Sequence, residues 1–440
     1  MHFFLFAFYA FVAIGLIYFW KFFDLLGIKP KALVGVFLLK LVFGFGLASL
    51  YTHYYDDRRG GDAYRFFDDG ILLHASFRES PEAFLHLMTG VGIEKDSIAL
   101  KYYHRMTHMQ LAFYTGYPND NATIIRANAL TTFLSQGYYH VHTVVWCFLS
   151  MIGLTAILKI LLRHFPRKKW AMFGAVYLLP TTLFWSSGVL KEPLLLLGIG
   201  LFLLGFFRWI YSEFSARDII PTILGLGLLL LTKGYVVQCM APGIAFLILT
   251  KINGGKRLFV SFLAPHILTI ALIFAGPLLS NGLKVAEIMA DRREAFYDVA
   301  KSSGAGSVIQ IPDINQSSDV ILNAPEAIVI TYFKPWPWEW NNLLYIPAAL
   351  ENLFLVFCLL TLVFYFRRPP AYSLPIVLFG LSFVLVFGAL AGQVVPVLGA
   401  LVRYKLPALI FLFAITFACS DFISIQRRFP VIRKWVKKHA

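Results

Sequence analysis

The stretch "PKALVGVFLLKLVFGFGLASLYTHYYDDRRGGDAYRFFDDG", residues 30 to 70, decides the fold. Its first half is an apolar run broken by the lone charge of Lys40, and its second half crowds five aspartates and three arginines between residues 54 and 70. An apolar run of about 20 residues is long enough to cross a hydrocarbon core as a helix. The charge that follows marks where the chain leaves that core. The alternation recurs throughout the 440 residues, of which 58% are hydrophobic and 14% charged. Mean hydropathy is +0.69, whereas soluble domains are about a quarter charged.

Apolar segments fall near residues 3–20, 32–51, 141–162, 170–185, 193–210, 219–232, 235–250, 258–279, 343–366, 372–390 and 404–423. Backbone polar groups in lipid must be satisfied within a segment, and these runs are too long and evenly apolar for barrel strands. The expected fold is therefore an all-α membrane protein of about eleven transmembrane helices. It is read as a single polytopic domain over residues 1–440 with two large non-cytoplasmic loops. Residues 1–20 lack a basic leader and a small-residue cleavage site, so a retained helix is expected there.

Charge sets the expected orientation. If the first helix runs inward, the cytoplasmic segments hold about twenty of the 39 Lys and Arg but only Asp24, Glu213, Asp218 and Asp421 of the 24 acids. The N-terminus is then outside, and the basic tail 424–440 is cytoplasmic. The net charge of +15 is a topology and anionic-lipid signal, and no nucleic-acid partner is expected. Short cytoplasmic loops without a soluble domain suit a bacterial inner (plasma) membrane. Cys147, Cys239, Cys358 and Cys419 all lie in or beside apolar runs without CxxC spacing, which gives neither a disulfide framework nor a zinc site.

The first outer loop, 52–140, contains "SPEAFLHLM", where Ser80 caps a helix and Pro81 takes its first position. Amphipathic helices on the membrane surface are expected in it. The second outer loop, 280–342, carries the helical stretch 284–300 and then "YFKPWPWEW" (332–340). That Trp-Pro repeat reads first as an interfacial aromatic belt and second as a carbohydrate-stacking platform.

Three motifs carry candidate chemistry. In "DDRRGGDAYRFF" the glycines 60 and 61 allow a tight turn that aims Asp62 at the membrane edge, with Asp56 and Asp57 close to the end of the second span. A carboxylate there suits a general base, or a ligand of a divalent cation such as Mg or Mn, although no metal-binding set is legible. In "SSGVLKEPLLLL" Lys191 and Glu192 occupy a turn before an apolar helix whose N-terminus suits a phosphate. In "VRYKLPALIF" Arg403 and Lys405 enter the last span, where an arginine without a partner is costly and two-pronged phosphate binding is natural. His104 and His108, spaced i, i+4, lack the HExxH arrangement of a zinc protease.

These motifs together resemble the GT-C membrane glycosyltransferases, with "GDAYRFF" opening the first outer loop, "KE" before a Leu-rich span and "RYKLP" entering a late helix. The resemblance implies a GT-C-like fold and inverting transfer of a sugar from a polyprenyl-phosphate donor to a glycan, lipid or protein acceptor. It implies Asp62, with Asp57 as deputy, as the catalytic carboxylate. Tyr64 and Asp56 would position substrate, and Lys191, Arg403, Lys405 and Glu192 would surround the lipid phosphate. The chain departs from the family in having one helix too many before the acidic loop. A polymerase or ligase using lipid-diphosphate sugars would instead lean on Arg292, Arg293 and Arg403. A flippase or transporter would need polar residues at mid-span and an internal repeat.

Overall fold

The computed structural model describes residues 2–53, 58–109, 120–278, 284–302, 307–339 and 343–428. Among these residues the secondary structure is helical, and extended pairing is limited to isolated bridges such as Val308 with Val397. Among the described residues eight helices are long and apolar enough to cross a membrane, or nine if the bent pair Leu398–Tyr404 and Leu406–Cys419, angled at 57°, forms one span. The chain is thus consistent with a polytopic membrane protein.

The expected run 170–185 is the one that the structure divides. The run 170–185 forms two short helices, Lys169–Tyr177 and Pro180–Trp185. Pro180 has no N–H to continue the first helix and suits the first turn of the second. The runs 219–232 and 235–250 form two helices within Ala216–Ile252 that meet at a kink, where the dihedrals leave the helical region at Lys233 (φ −148°, ψ 75°); the count of eight takes them as one. Lys233 falls between the two expected spans.

The chain divides into two compact units, one of residues 1–160 with 182–237 and the other of 161–181 with 238–440. In the first unit, helices Tyr139–His164 and Lys191–Ile210 approach backbone to backbone at glycine. A Cβ on Gly200 would lie 2.1 Å from the Gly153 carbonyl oxygen, and one on Gly153 would lie 2.2 Å from that of Leu196. Small residues let helices meet closely where lipid supplies no hydrophobic drive.

The helices between residues 62 and 135 pack into a core shared with the long apolar helices through Leu47, Trp146 and Leu194. Asp62–Glu79 is followed by Pro81–Thr89, Ser97–Arg105 and Asp120–Ser135. Leu73, Leu87, Ile93, Ala99, Ile124, Ile125 and Ala129 are buried together, so these helices turn their apolar faces toward one another. The caps follow the expected chemistry. The Ser80 hydroxyl accepts from the Ala83 N–H at 3.1 Å with Pro81 at the first position, and Asp96 accepts from the N–H groups of Ile98 and Ala99. Gly61 is extended (φ −112°), so a positive φ is not its requirement. A Cβ there would stand 2.0 Å from the Tyr51 ring, and the glycine is needed for space.

In the second unit Ala324–Phe333 lies against Leu374–Val394. The Tyr332 hydroxyl donates to the Val384 carbonyl at 2.7 Å and the Thr331 hydroxyl to that of Gly388 at 2.8 Å. Lys168 donates to the carbonyls of Phe417, Ala418 and Ser420, neutralising the C-terminal end of Leu406–Cys419.

The glycine crossing is directly testable. Gly200→Val is expected to lower the stability of the detergent-solubilised protein by about 2–3 kcal/mol in thermal unfolding, since overpacked sites respond on that scale. Gly46→Ala, at a position where a Cβ meets nothing within 4 Å, is the control and leaves the melting temperature unchanged or slightly raised.

Candidate functional site

Three residues on one face of Asp62–Glu79 define the site. Asp62, Arg65 and Asp69 follow at intervals of three and four, so they line up along the helix. Asp69 is buried, and its carboxylate accepts from the backbone N–H of Thr107 at 3.0 Å and of His108 at 2.6 Å. That pair of bonds pins the segment after helix Ser97–Arg105 against the Asp62–Glu79 helix.

His108 is thereby delivered to Arg65, whose Nη1 lies 3.0 Å from the His108 Nε2. A guanidinium can only donate, so Nε2 accepts and the ring proton sits on Nδ1. Nδ1 in turn reaches the Thr107 hydroxyl at 3.0 Å. Burial pushes the His108 pKa below the usual imidazole value, and the Arg65 charge pushes it further, against the pull of Asp69 and Asp62. The ring is neutral at pH 7.

Lys191 joins this cluster from the other side. It is the first residue of helix Lys191–Ile210, and its Nζ sits 5.3 Å from the centre of the Phe66 ring, which itself meets His108 edge to face. Its ammonium also pairs with Asp120 at 2.7 Å, and its charge acts on His108. Acid and base from sequence-distant segments therefore share one region of the first unit. Arg65, Asp69 and Asp120 were not singled out from sequence. The signal for the first two was present in the Asp62, Arg65, Asp69 spacing, but nothing in the sequence joins Asp120 to Lys191.

The other expected residues have more structural surroundings. Glu192 is buried and accepts from the Lys233 ammonium at 3.0 Å, with both side chains almost fully enclosed. Tyr64 stacks on Tyr139 with ring centres 4.5 Å apart, shares a 3.0 Å hydrogen bond between its hydroxyl and that of Thr52, and lies under the Arg58 guanidinium. Arg58 also bonds both oxygens of Asp68. Asp56 and Asp57 lie outside the described residues. In the second unit Lys405 is buried and donates to Asn352 Oδ1 at 2.8 Å and to the carbonyls of Lys334 and Tyr332. Arg403 is half-buried beside the Tyr404 ring. Arg293 donates to the Pro312 carbonyl and pairs with Asp313. His104 lies on helix Ser97–Arg105 and His108 beyond its end, with both ring nitrogens of His108 engaged by Arg65 and Thr107; among the described residues no group of three His, Cys, Asp or Glu side chains is placed to hold a metal ion.

The neutral His108 makes the loop acid-sensitive. The unfolded chain takes up this proton near pH 6.5, while the folded chain resists it until lower pH, so the stability associated with His108 is retained above about pH 6.5 and lost as pH falls below it. The melting temperature of the wild type is expected to fall more steeply than that of His108→Gln on acidification through this window, which scanning fluorimetry would detect. Comparison of the chain with protein-family models, with curated proteins and with solved structures gives no match in any of the three.

Proposed function

We propose that this protein transfers a glycosyl group from a polyprenyl-phosphate-linked donor to an acceptor hydroxyl at the outer edge of a bacterial inner membrane. In this reading, on the distribution of Lys and Arg, the N-terminus lies outside and the C-terminus inside. The observation that carries the reading is the grouping of Asp62, Arg65 and Lys191 about His108, on which all three charges act, with Lys191 also over the Phe66 ring that meets His108. A carboxylate with two cations at the start of a soluble loop suits a reaction in which a proton is removed from one substrate while negative charge develops on another.

In this reading the acceptor oxygen attacks the anomeric carbon from the face opposite the phosphate and inverts it. Its proton passes to the Asp62 carboxylate. The anomeric carbon–oxygen bond to phosphate breaks, and its electron pair leaves on the lipid phosphate, where Lys191 and Arg65 stabilise the new charge. Neutral His108 holds Arg65 without adding charge of its own. Tyr64 anchors the start of the catalytic helix through Tyr139 and Thr52. Asp69 supports the arrangement from below by fixing the backbone that carries His108.

Asp62→Asn is expected to lower turnover in a sugar-transfer assay by about 100- to 10,000-fold, the usual range for loss of a general base, with the melting temperature unchanged. Lys191→Met is expected to weaken both turnover and apparent donor affinity. An Asp62→Asn protein with wild-type turnover would overturn the reading.

A further inference from the structure

The segment "YFKPWPWEW" is the largest sequence signal that the proposed chemistry leaves unused, and in the second unit it forms a ring column. The Phe333 and Trp336 rings are parallel to within 8° with centres 5.9 Å apart, and those of Trp336 and Trp338 to within 3° at 5.3 Å. These are offset stacks, the favoured geometry for aromatic rings. The column starts at the end of helix Ala324–Phe333 and ends on Trp338, which is 76% exposed. Its last flat face has no ring of this chain among the described residues stacked on it.

Polar bonds hold the backbone of this column in place. Asn352 donates to the carbonyls of Phe333 and Pro335, and buried Lys405 donates to those of Tyr332 and Lys334. Glu339 accepts from the Trp336 N–H at 2.9 Å and from the Lys334 ammonium at 3.1 Å. The prolines at 335 and 337 restrict the intervening φ angles. An interfacial belt residue needs only to partition between lipid and water. A backbone fixed by this many bonds from Tyr332 to Trp336 carries its stacked rings in a preset arrangement, which suits a partner of defined shape.

We infer that the outer face of Trp338, backed by Trp336 and Phe333, is a saccharide-stacking site that takes a pyranose ring of the acceptor or donor glycan. The apolar C–H face of a pyranose matches an indole face. Its ring-edge hydroxyls need donors and acceptors beside that face, and partly exposed Lys334 and Glu339 supply both. This inference rests on the glycosyl-transfer reading for its choice of ligand, yet it concerns different residues in the other unit.

The test uses the full-length protein in nanodiscs of phosphatidylethanolamine and phosphatidylglycerol, with the Trp338 signal taken as the difference between wild type and Trp338→Phe. Aqueous iodide is expected to quench Trp338, and brominated acyl chains are not. Soluble cello-, malto- and N-acetylchito-oligosaccharides are the probes, and at least one is expected to protect Trp338 from iodide. Trp338→Ala is expected to weaken that saccharide's binding about tenfold, the scale of one lost ring contact, as read by calorimetry. Asp62→Asn is expected to bind it like the wild type, which separates this inference from the catalytic assignment. Quenching of Trp338 by the brominated chains would identify a membrane belt and overturn the inference, as would failure of all three saccharide series to protect it.

Discussion

Charge buried in an apolar helix has to be answered by another helix, and much of this structure depends on that constraint. Lipid offers no water to a stranded ammonium. Lys40 donates to the carbonyl and hydroxyl of Ser186, Lys233 to Glu192, and Lys405 to Asn352 and two backbone carbonyls. Each bond joins segments far apart in sequence. Removing one partner of a buried pair costs about 3–5 kcal/mol, because the other charge is left behind. Such pairs are thus poor general stabilisers but strong determinants of which helix lies where.

The Glu192–Lys233 pair shows how this constraint reaches the candidate site. Glu192 is drawn inward to Lys233, while Lys191, one residue earlier on the same helix, points to Asp120 and the Phe66 ring. Neighbouring residues on a helix diverge by about 100°, so fixing one direction fixes the other. The "KE" dipeptide is therefore one structural residue and one candidate functional residue. The close approach of Gly153 and Gly200 sets the depth of the same helix. Together they hold the Lys191 ammonium beside the Asp62–Glu79 helix.

Apolar segments were legible in the sequence because burial in lipid demands long uninterrupted runs, and the helix caps at Ser80 and Pro81 were legible because they are local chemistry. The break within 170–185 was not legible, because a hydropathy average passes over Pro180, which separates two short helices. The loop core was also hidden. Amphipathic helices were expected in this segment, but helical spacing alone does not show that Leu73, Leu87 and Ile125 share one core. At the site, Asp62 and Lys191 stood out by composition, whereas the role of Asp69 depends on two backbone N–H groups 38 and 39 residues away. Bonds to backbone leave no side-chain pattern to read.

The same reasoning separates the two halves of the chain's polar inventory. In the first unit the buried acid Asp69 uses its bonds to present His108 and Arg65 to the loop surface. In the second unit the buried Lys405 and Asn352 use theirs to present a ring column ending on exposed Trp338. A buried polar group that bonds mainly to backbone fixes the path of a segment, and the segment's own side chains are then free to face outward. Core packing alone would not require Asn352 to satisfy two carbonyls on either side of Lys334, nor Asp69 to satisfy two consecutive N–H groups. Both arrangements reduce the conformational freedom of a surface segment before any ligand arrives, and that ordering no longer has to be done at the moment of binding.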